Sequence, residues 1–594
     1  SNTVSVSRDT EKKAVRLLAD LKAFSSLVGA DRNRLGLEAQ VQGNDKVKSY
    51  ELAISALDVP GLAAGSVVRT WKDSRGVPAS FSWDGSNDAK GKAPDGRYTA
   101  KLSVSYLNGD SAEAQAGPFL LDSVPPSIKV SAAPLLFSPT EGSRKRSVQF
   151  SQSSVPGDDW EGRLSSTDGT VVRTWTWKGQ ASDFVWDGTD EAGNLVKDGG
   201  YRYDVASTDA AGNKGTGSVP YLTVDKRPTQ VFVTASATGL SPTGAPEMRS
   251  VVFTLIVKLR EGIDSWHFAL VDKDGVERSV YGGQGGDIPS KIVWDGRDTA
   301  GNFTQGEYTG VFTVDYAKGD QPEARTGKIL VNTEGPKAEV KISPDVFSPD
   351  DYSSNNELHI GLSVKDASDI ADWKFEVFEQ AVVEGAAPGA APVLRSFMSW
   401  SGTGTPTPLI TWDGRSSKGE LVESATDYPF TFTANDVLGN SVRVDGTITV
   451  DILVIREGDK LKIKVPSIVF RANFPDFVGL DQDTLARNAK VVARIAASLN
   501  KFKDYSVQIE GFANSIAKIT GASPAAVAAE EQKELIPLSL GRAELVKKLL
   551  VQNGVDEKRL TTAGLGSSSP VVDFQDAQNR WKNRRVEFIL IKKQ

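Results

Sequence analysis

The chain has 594 residues, more than one hydrophobic core accommodates, since single cores stop growing at roughly 250 to 300 residues. Hydrophobic residues make up 39% and charged residues 24%, ordinary values for globular protein, and the net charge of −7 argues against a nucleic-acid partner. The absence of cysteine excludes a disulfide framework or a thiolate metal site, and no apolar stretch approaches the ~18 residues that span a bilayer.

In chain order, the opening SNTVSVSRDTEKK lacks the apolar core of a signal peptide. Residues 9–31 place Val15, Leu18, Leu21 and Leu27 at helical spacing with Gly29 near the end. That spacing predicts a short amphipathic helix over an N-terminal segment 1–33.

A phrase then recurs four times: WDGSNDAKG from Trp83, WDGTDEAGN from Trp186, WDGRDTAGN from Trp294 and WDGRSSKGE from Trp412. The spacings of 103, 108 and 118 residues are those of small domains, and exclude a propeller of ~40 to 45-residue blades. After each phrase a tyrosine (Tyr98, Tyr201, Tyr308, Tyr428) opens an alternating run such as YTAKLSV, the period-two sign of a half-buried strand. Upstream of each stands another aromatic, Tyr50, Trp160, Trp266 or Trp373, on a strand-like run. Copies two to four begin with LFSPTEG, LSPTGAP and FSPDDYS, an opening not evident in the first; LLDSVPP, LTVDKRP and ILVNTEGP close copies one to three.

Physically, Trp supplies buried area, Asp bonds the backbone two residues on, and Gly takes the positive φ of a tight turn. A structural role therefore suffices for WDG. Acidic turns such as Asp187, Asp190 and Asn194 also suggest calcium, but they miss the spacing and terminal Glu of an EF-hand loop. The WDG, GN and GxY phrases resemble the Ig-like repeat of the FlgD type. That resemblance implies sandwiches over 34–124, 125–227, 228–335 and 336–452. The fourth departs most, with no GN after its WDG and the insertion VVEGAAPGAAPV.

From residue 453 onward the character changes, with 23 Lys+Arg against 16 Asp+Glu. LKIKVPSIVF reads as strands, DTLARNAKVVARIAASLN (483–500) as an amphipathic helix, YSVQIEG as a strand, LSLGRAELVKKLLVQNG as a helix closed by Gly554, and RRVEFILI as a last strand. Alternating strands and helices predict an α/β module over 453–594. LSLGRAELV, AGLGSSSPV and NRRVEF resemble the OmpA-like C-terminal domain, which binds peptidoglycan in Gram-negative and spirochaete envelopes. The expected fold class is thus multidomain: tandem all-β Ig-like sandwiches followed by a C-terminal α/β, OmpA-like domain.

In that family a Gly-His-Thr-Asp loop supplies an Asp for the diaminopimelate ammonium, and the Arg of an Arg-Ala pair grips its carboxylate. The resemblance carries the arginine to Arg542, whereas the loop here reads Gly511-Phe512-Ala513-Asn514, with an amide in place of the acid. Leu535 stands where the family has an Asn. Arg584 and Arg585 complete the candidate peptidoglycan-binding set. Between Asn514 and Arg542 the chain exceeds the family's spacing by roughly a dozen residues, and Ser523-Pro524 predict a short added helix there that covers or reshapes the pocket.

Only His267 and His359 exist, in different repeats, and no Ser-His-Asp, metal-ligand or nucleotide-binding constellation is present in the sequence, while the plentiful Asp and Glu leave a carboxylate pair for glycoside hydrolysis open. No enzyme activity, cofactor or resident metal is expected. The expected setting is the periplasm or the outer membrane of a spirochaete-like envelope, the chain being a mature one after signal removal. Peptidoglycan is the expected partner, with envelope proteins as the alternative if the chain is a scaffold or adhesin; a flagellar assembly role follows from the FlgD-type repeats alone.

Overall fold

The computed structural model describes residues 12–350, 355–381, 393–458, 460–465, 468–471, 473–577 and 579–593. Repeat 1 sets the pattern. Its strands are β1 (Val15–Ala19), β2 (Ala23–Phe24), β3 (Leu35–Val41), β4 (Val47–Asp58), β5 (Val67–Asp73), β6 (Ser80–Trp83), β7 (Gly96–Tyr106) and β8 (Ser111–Leu121). One sheet has the order β1-β3-β6 and the other β2-β8-β7-β4-β5. Every second residue of β7, from Tyr98 to Tyr106, is buried between them. Repeats 2, 3 and 4 repeat this three-plus-five arrangement, including a two-residue opening strand that runs parallel to the last one.

The helix expected over residues 9–31 does not form. Residues 12–14 and 20–22 have no regular structure, β1 pairs antiparallel with β3, and β2 pairs parallel with β8; residues 9–11 lie outside the described residues. Here period two wins over period 3.6: Leu17 is buried at 4% while Leu18 is 52% exposed. The segment is the first edge of repeat 1 rather than a separate unit, so the boundary placed at residue 33 falls inside the sandwich. Phe24-Ser25-Ser26 is the missing opening phrase. Phe24 packs 5.2 Å from Trp83, as Phe137 packs 5.4 Å from Trp186 and Phe347 packs 5.6 Å from Trp412.

The WDG phrase closes a turn. In all four copies the indole N–H donates over 2.8 Å to a carbonyl three residues on, that of Ser86, Thr189, Arg297 or Arg415. The Asp side chain accepts the backbone N–H of the same residue. The Gly between them has φ of +79° to +89°, a conformation costly for other residues. The tryptophan is at most 2% exposed and so anchors the core while fixing the turn. Asp190, one of the residues weighed for calcium, accepts the backbone N–H groups of Ala192 and Asn194 and is an Asx cap.

Consecutive repeats are joined by one recurring contact. The hairpin between the last two strands of a repeat, tipped by a Gly with positive φ, seats against the loop after the preceding repeat's opening strand. Asp31 N–H donates to Gly212 O, Arg144 N–H to Gly319 O, and Ala245 N–H to Leu438 O. Long cations reinforce the first two joints: Arg32 donates to Ala210 O and Lys145 to Ala317 O. A Cβ on Gly212, Gly319 or Gly439 would stand 2.6 to 2.7 Å from the backbone nitrogen of the opposing loop, so the approach requires glycine.

The C-terminal domain is one sheet in the order Ile455–Glu457, Lys460–Val465, Val586–Lys592, Tyr505–Gly511, Leu560–Gly564, parallel only between the last two. Helices α1 (Gln482–Lys501), α2 (Ile516–Ile519), α3 (Pro524–Glu530) and α4 (Ile536–Gln552) follow in chain order. Ile495 and Leu499 of α1 and Val546 and Leu550 of α4 share a core with Ile463, Val507, Ile509 and Phe588 of the sheet. Ala425 and Ile452 of repeat 4 and Val454 of the connection join that core. The passage from repeat 4 is therefore a packed joint. Lys582 lies 3.5 Å from Glu379 and 3.7 Å from Glu423 across it.

Candidate functional site

The candidate residues gather at one end of the C-terminal sheet. Strand Tyr505–Gly511 delivers the loop Phe512-Ala513-Asn514, and α4 crosses beside it. A Cβ on Gly511 would stand 2.1 Å from the Ser539 carbonyl, so this strand end and α4 touch backbone to backbone. The loop is held by Phe512 N–H donating to Arg585 O (3.0 Å) and Ala513 N–H to Gly566 O (2.8 Å).

Arg542 lies one turn along α4 from Ser539 and is 5% exposed. Its guanidinium lies over the Phe470 ring at 5.1 Å, and its Nε is 3.4 Å from the Phe474 carbonyl. Among the described residues it makes no ion pair. Burial first, and the positive charge of Arg584 second, lower its pKa to about 10. A desolvated guanidinium beside a like charge is an unfavourable arrangement that an anion relieves, and its fork geometry suits a carboxylate.

Asn514 donates through Nδ2 to the Arg580 carbonyl at 2.7 Å, which fixes the amide's orientation. Its Oδ1 is buried without a partner, an acceptor that ligand ammonium or amide N–H groups satisfy. Arg584 sits at the end of the Arg580–Asn583 turn and acts on Arg542 through its charge. Arg585 has a different assignment from the expected ligand role. Its Nε donates to Glu587 at 2.7 Å, it donates to Ser569 O at 2.9 Å, and its plane stacks on Phe512 at 3.9 Å. Glu587 is fully buried and also meets Lys462 at 2.6 Å. Arg585 is thus bound within a buried ionic cluster.

The added segment does form a helix, with the Ser523 side chain accepting from Ala526 N–H. Two residues that sequence reasoning passed over fasten it. The Glu530 carboxylate accepts from the Ser515 hydroxyl and from the N–H groups of Ile516 (2.8 Å) and Ala517 (3.1 Å), capping α2. Glu531 accepts from the hydroxyl of Ser567 and from its N–H at 2.6 Å. The pair is legible in the sequence only as an acidic run. The insert walls an open hollow of about 600 Å3 that includes Lys518, Val527, Ile536 and Leu565 but neither Asn514 nor Arg542. Leu535, in the position of the family's Asn, is buried.

Residues 481–584 match the OmpA family. The chain carries an OmpA family domain. Residues 148–211 match the FlgD Ig-like domain. The OmpA family domain is similar to the peptidoglycan-binding protein ArfA of Mycobacterium tuberculosis, 33% identical over 101 residues that make up 17% of this chain and 27% of that one. It is also similar to the probable lipoprotein YiaD of Escherichia coli, 26% identical over 137 residues, 23% of this chain and 54% of that one. The chain therefore spans about a quarter and about half of these relatives. Among solved structures, the periplasmic domain of Helicobacter pylori MotB is 24% identical with a TM-score of 0.19, covering 24% of this chain and 79% of that one. Among the described residues no helix is long and apolar enough to cross a membrane.

Proposed function

We propose that this is a non-enzymatic cell-envelope protein whose OmpA family domain contacts peptidoglycan at the end of a rod of Ig-like repeats. The observation that carries the reading is Arg542: a buried guanidinium with no acidic partner among the described residues, on the α4 position where the family grips a stem-peptide carboxylate. Asn514 Oδ1 offers an acceptor for the stem peptide's ammonium in the neighbouring loop. The similarity to ArfA, named as peptidoglycan-binding, supports the same reading. Placement in the periplasm or at the outer membrane follows from this function.

An amide at 514 accepts a neutral hydrogen bond where an aspartate makes a charge-assisted one, which costs about 1 to 2 kcal/mol, about tenfold in affinity. That substitution, with Leu535 in place of the family's Asn, favours a second reading: a protein-binding scaffold or adhesin in which the wall-binding site is no longer used.

The test is co-sedimentation of the full chain with purified sacculi, and titration with a diaminopimelate-containing muropeptide. Saturable binding that is lost in Arg542→Ala and strengthened about tenfold in Asn514→Asp supports the tether. Absence of binding by the native chain at millimolar muropeptide retires it in favour of the scaffold.

A further inference from the structure

The short turn Arg580–Asn583 takes part in two places at once, the joint with repeat 4 and the candidate peptidoglycan site. On the joint side, Lys582 has its ammonium 3.5 Å from Glu379 and 3.7 Å from Glu423. Both carboxylates belong to repeat 4. Glu379 lies on the strand Ile370–Ala381, and Glu423 follows the fourth WDG turn, where its N–H donates to the Tyr428 hydroxyl at 2.8 Å. The Lys582 side chain is 13% exposed and each acid 19%, so the three charges are largely withdrawn from water and little screened by salt.

On the site side, the same turn supplies two fixed points. The Arg580 carbonyl accepts from Asn514 Nδ2 at 2.7 Å and so decides which way the amide presents its buried, unpartnered Oδ1. Asn583, 1% exposed, accepts the N–H groups of Val571 and Val572 at 2.8 and 3.1 Å and donates to the Val572 carbonyl at 2.9 Å. The 571–572 segment is thereby tied to the turn.

A single 3₁₀ turn has few bonds of its own. Here Lys582 N–H donates to Asn579 O and Arg584 N–H to Trp581 O, so what the side chains grip outside the turn sets where it lies. Among the described residues Lys582 forms ion pairs only with the two acids of repeat 4. Losing one side of such a withdrawn cluster leaves charge uncompensated, which gives repeat 4 a strong hold on the turn that carries the Arg580 carbonyl.

We propose that Glu379, Lys582 and Glu423 are positioning residues for the candidate site: repeat 4, by holding Lys582, fixes the Arg580 carbonyl and with it the orientation of Asn514. The inference rests on the wall-contact reading for its ligand, and adds that the last sandwich of the rod is part of the grip. With repeat 4 seated, the Asn514 acceptor is held ready beforehand, as a binding group must be to act at full strength. With repeat 4 lifted from its seat, the turn drifts and the amide loses its fixed partner. The linkage is reciprocal, so an occupied site also steadies the joint.

The experiment compares the full chain with Lys582→Met, with Lys582→Arg, and with the paired variant Glu379→Gln and Glu423→Gln. Hydrogen exchange is followed without ligand, and the diaminopimelate-containing muropeptide is then titrated. The paired variant lies wholly in repeat 4, so any effect it has at the site has crossed the joint; it also serves should Lys582→Met disturb folding. Lys582→Met and the paired variant should speed exchange of the Val571 and Val572 amides and weaken muropeptide binding about fivefold, with Lys582→Arg retaining both native values. Unchanged exchange in the folded variants overturns the proposal, and so does unchanged affinity in variants of a chain that binds the muropeptide. Faster exchange in a chain that binds no muropeptide retires the wall contact but upholds the hold of repeat 4 on the turn.

Discussion

Lys582 of the OmpA family domain stands 3.7 Å from Glu423 of repeat 4, with Glu379 on its other side at 3.5 Å. Burial is the larger influence on Glu423 and raises its pKa to about 7; Lys582 opposes it, while Glu379 and Glu420 add to it. A carboxyl raised above its unfolded value stabilises the folded state below the unfolded pKa, and that contribution is lost as pH rises through the folded one. The packed joint should therefore weaken between about pH 4.5 and 7 and level off above. Calorimetry from pH 5 to 8 should show the transition of the C-terminal half falling with pH, and Glu423→Gln should flatten that slope. A flat native profile would refute the assignment.

The joints between repeats allow a paired substitution. Gly319 and Gly109 occupy the same hairpin position with φ of +100° and +92°, but a Cβ meets Lys145 N at 2.6 Å in the first and nothing within 4 Å in the second. Alanine strains both turns similarly, so the difference reports the joint. Gly319→Ala should loosen repeat 3 from repeat 2, seen as faster exchange of the Arg144 amide and a broader distance distribution in small-angle scattering. Gly109→Ala should cost only turn strain, about 1 to 2 kcal/mol.

Arg542 and Arg585 should part in stability and binding. Arg585→Ala leaves the fully buried Glu587 with Lys462 alone and should destabilise the domain by about 3 kcal/mol. Arg542→Ala removes a buried cation that has no acidic partner among the described residues, so its stability cost should be smaller, the lost packing on Phe470 being offset by relief of desolvation. Denaturant titration of both variants beside muropeptide binding separates the roles. A larger stability loss at Arg542 would make it a structural cation.

Glu530 should hold the inserted helix. Glu530→Ala removes the acceptor of the Ile516 and Ala517 N–H groups while the Ser515 N-cap of α2 remains, and should cost about 1 to 2 kcal/mol, with exchange accelerating at Ile516 and Ala517 while α4 stays protected. Unchanged exchange there would mean the insert is fastened mainly through Glu531.

Much of this architecture is written locally. The WDG turns, the alternating strands and the Ser523 cap depend on residues within a few positions of one another, so their spacing alone identifies them. The same holds for the basic α/β module and the position of Arg542 on its helix. Where two periods fit one segment, local reading failed: residues 15–24 satisfy a helical stripe, and only pairing with β3 and β8, far along the chain, decides for strands.

The candidate site was legible by residue but not by role. Arg585 reads as a candidate ligand in NRRVEF, yet Glu587 two residues on makes it part of a buried ionic cluster, and the sequence has no marker of that burial. Glu530 and Glu531 read as a solvated charge run until α3 folds back on the loops it clamps. Lys582 is unremarkable in sequence for the same reason, and its meaning arises where the C-terminal domain meets repeat 4. Local spacing determined the elements; the tertiary structure decided which charges are buried and what faces them, because burial and long-range pairing set the energy of a charge and neither is a property of its neighbours in sequence.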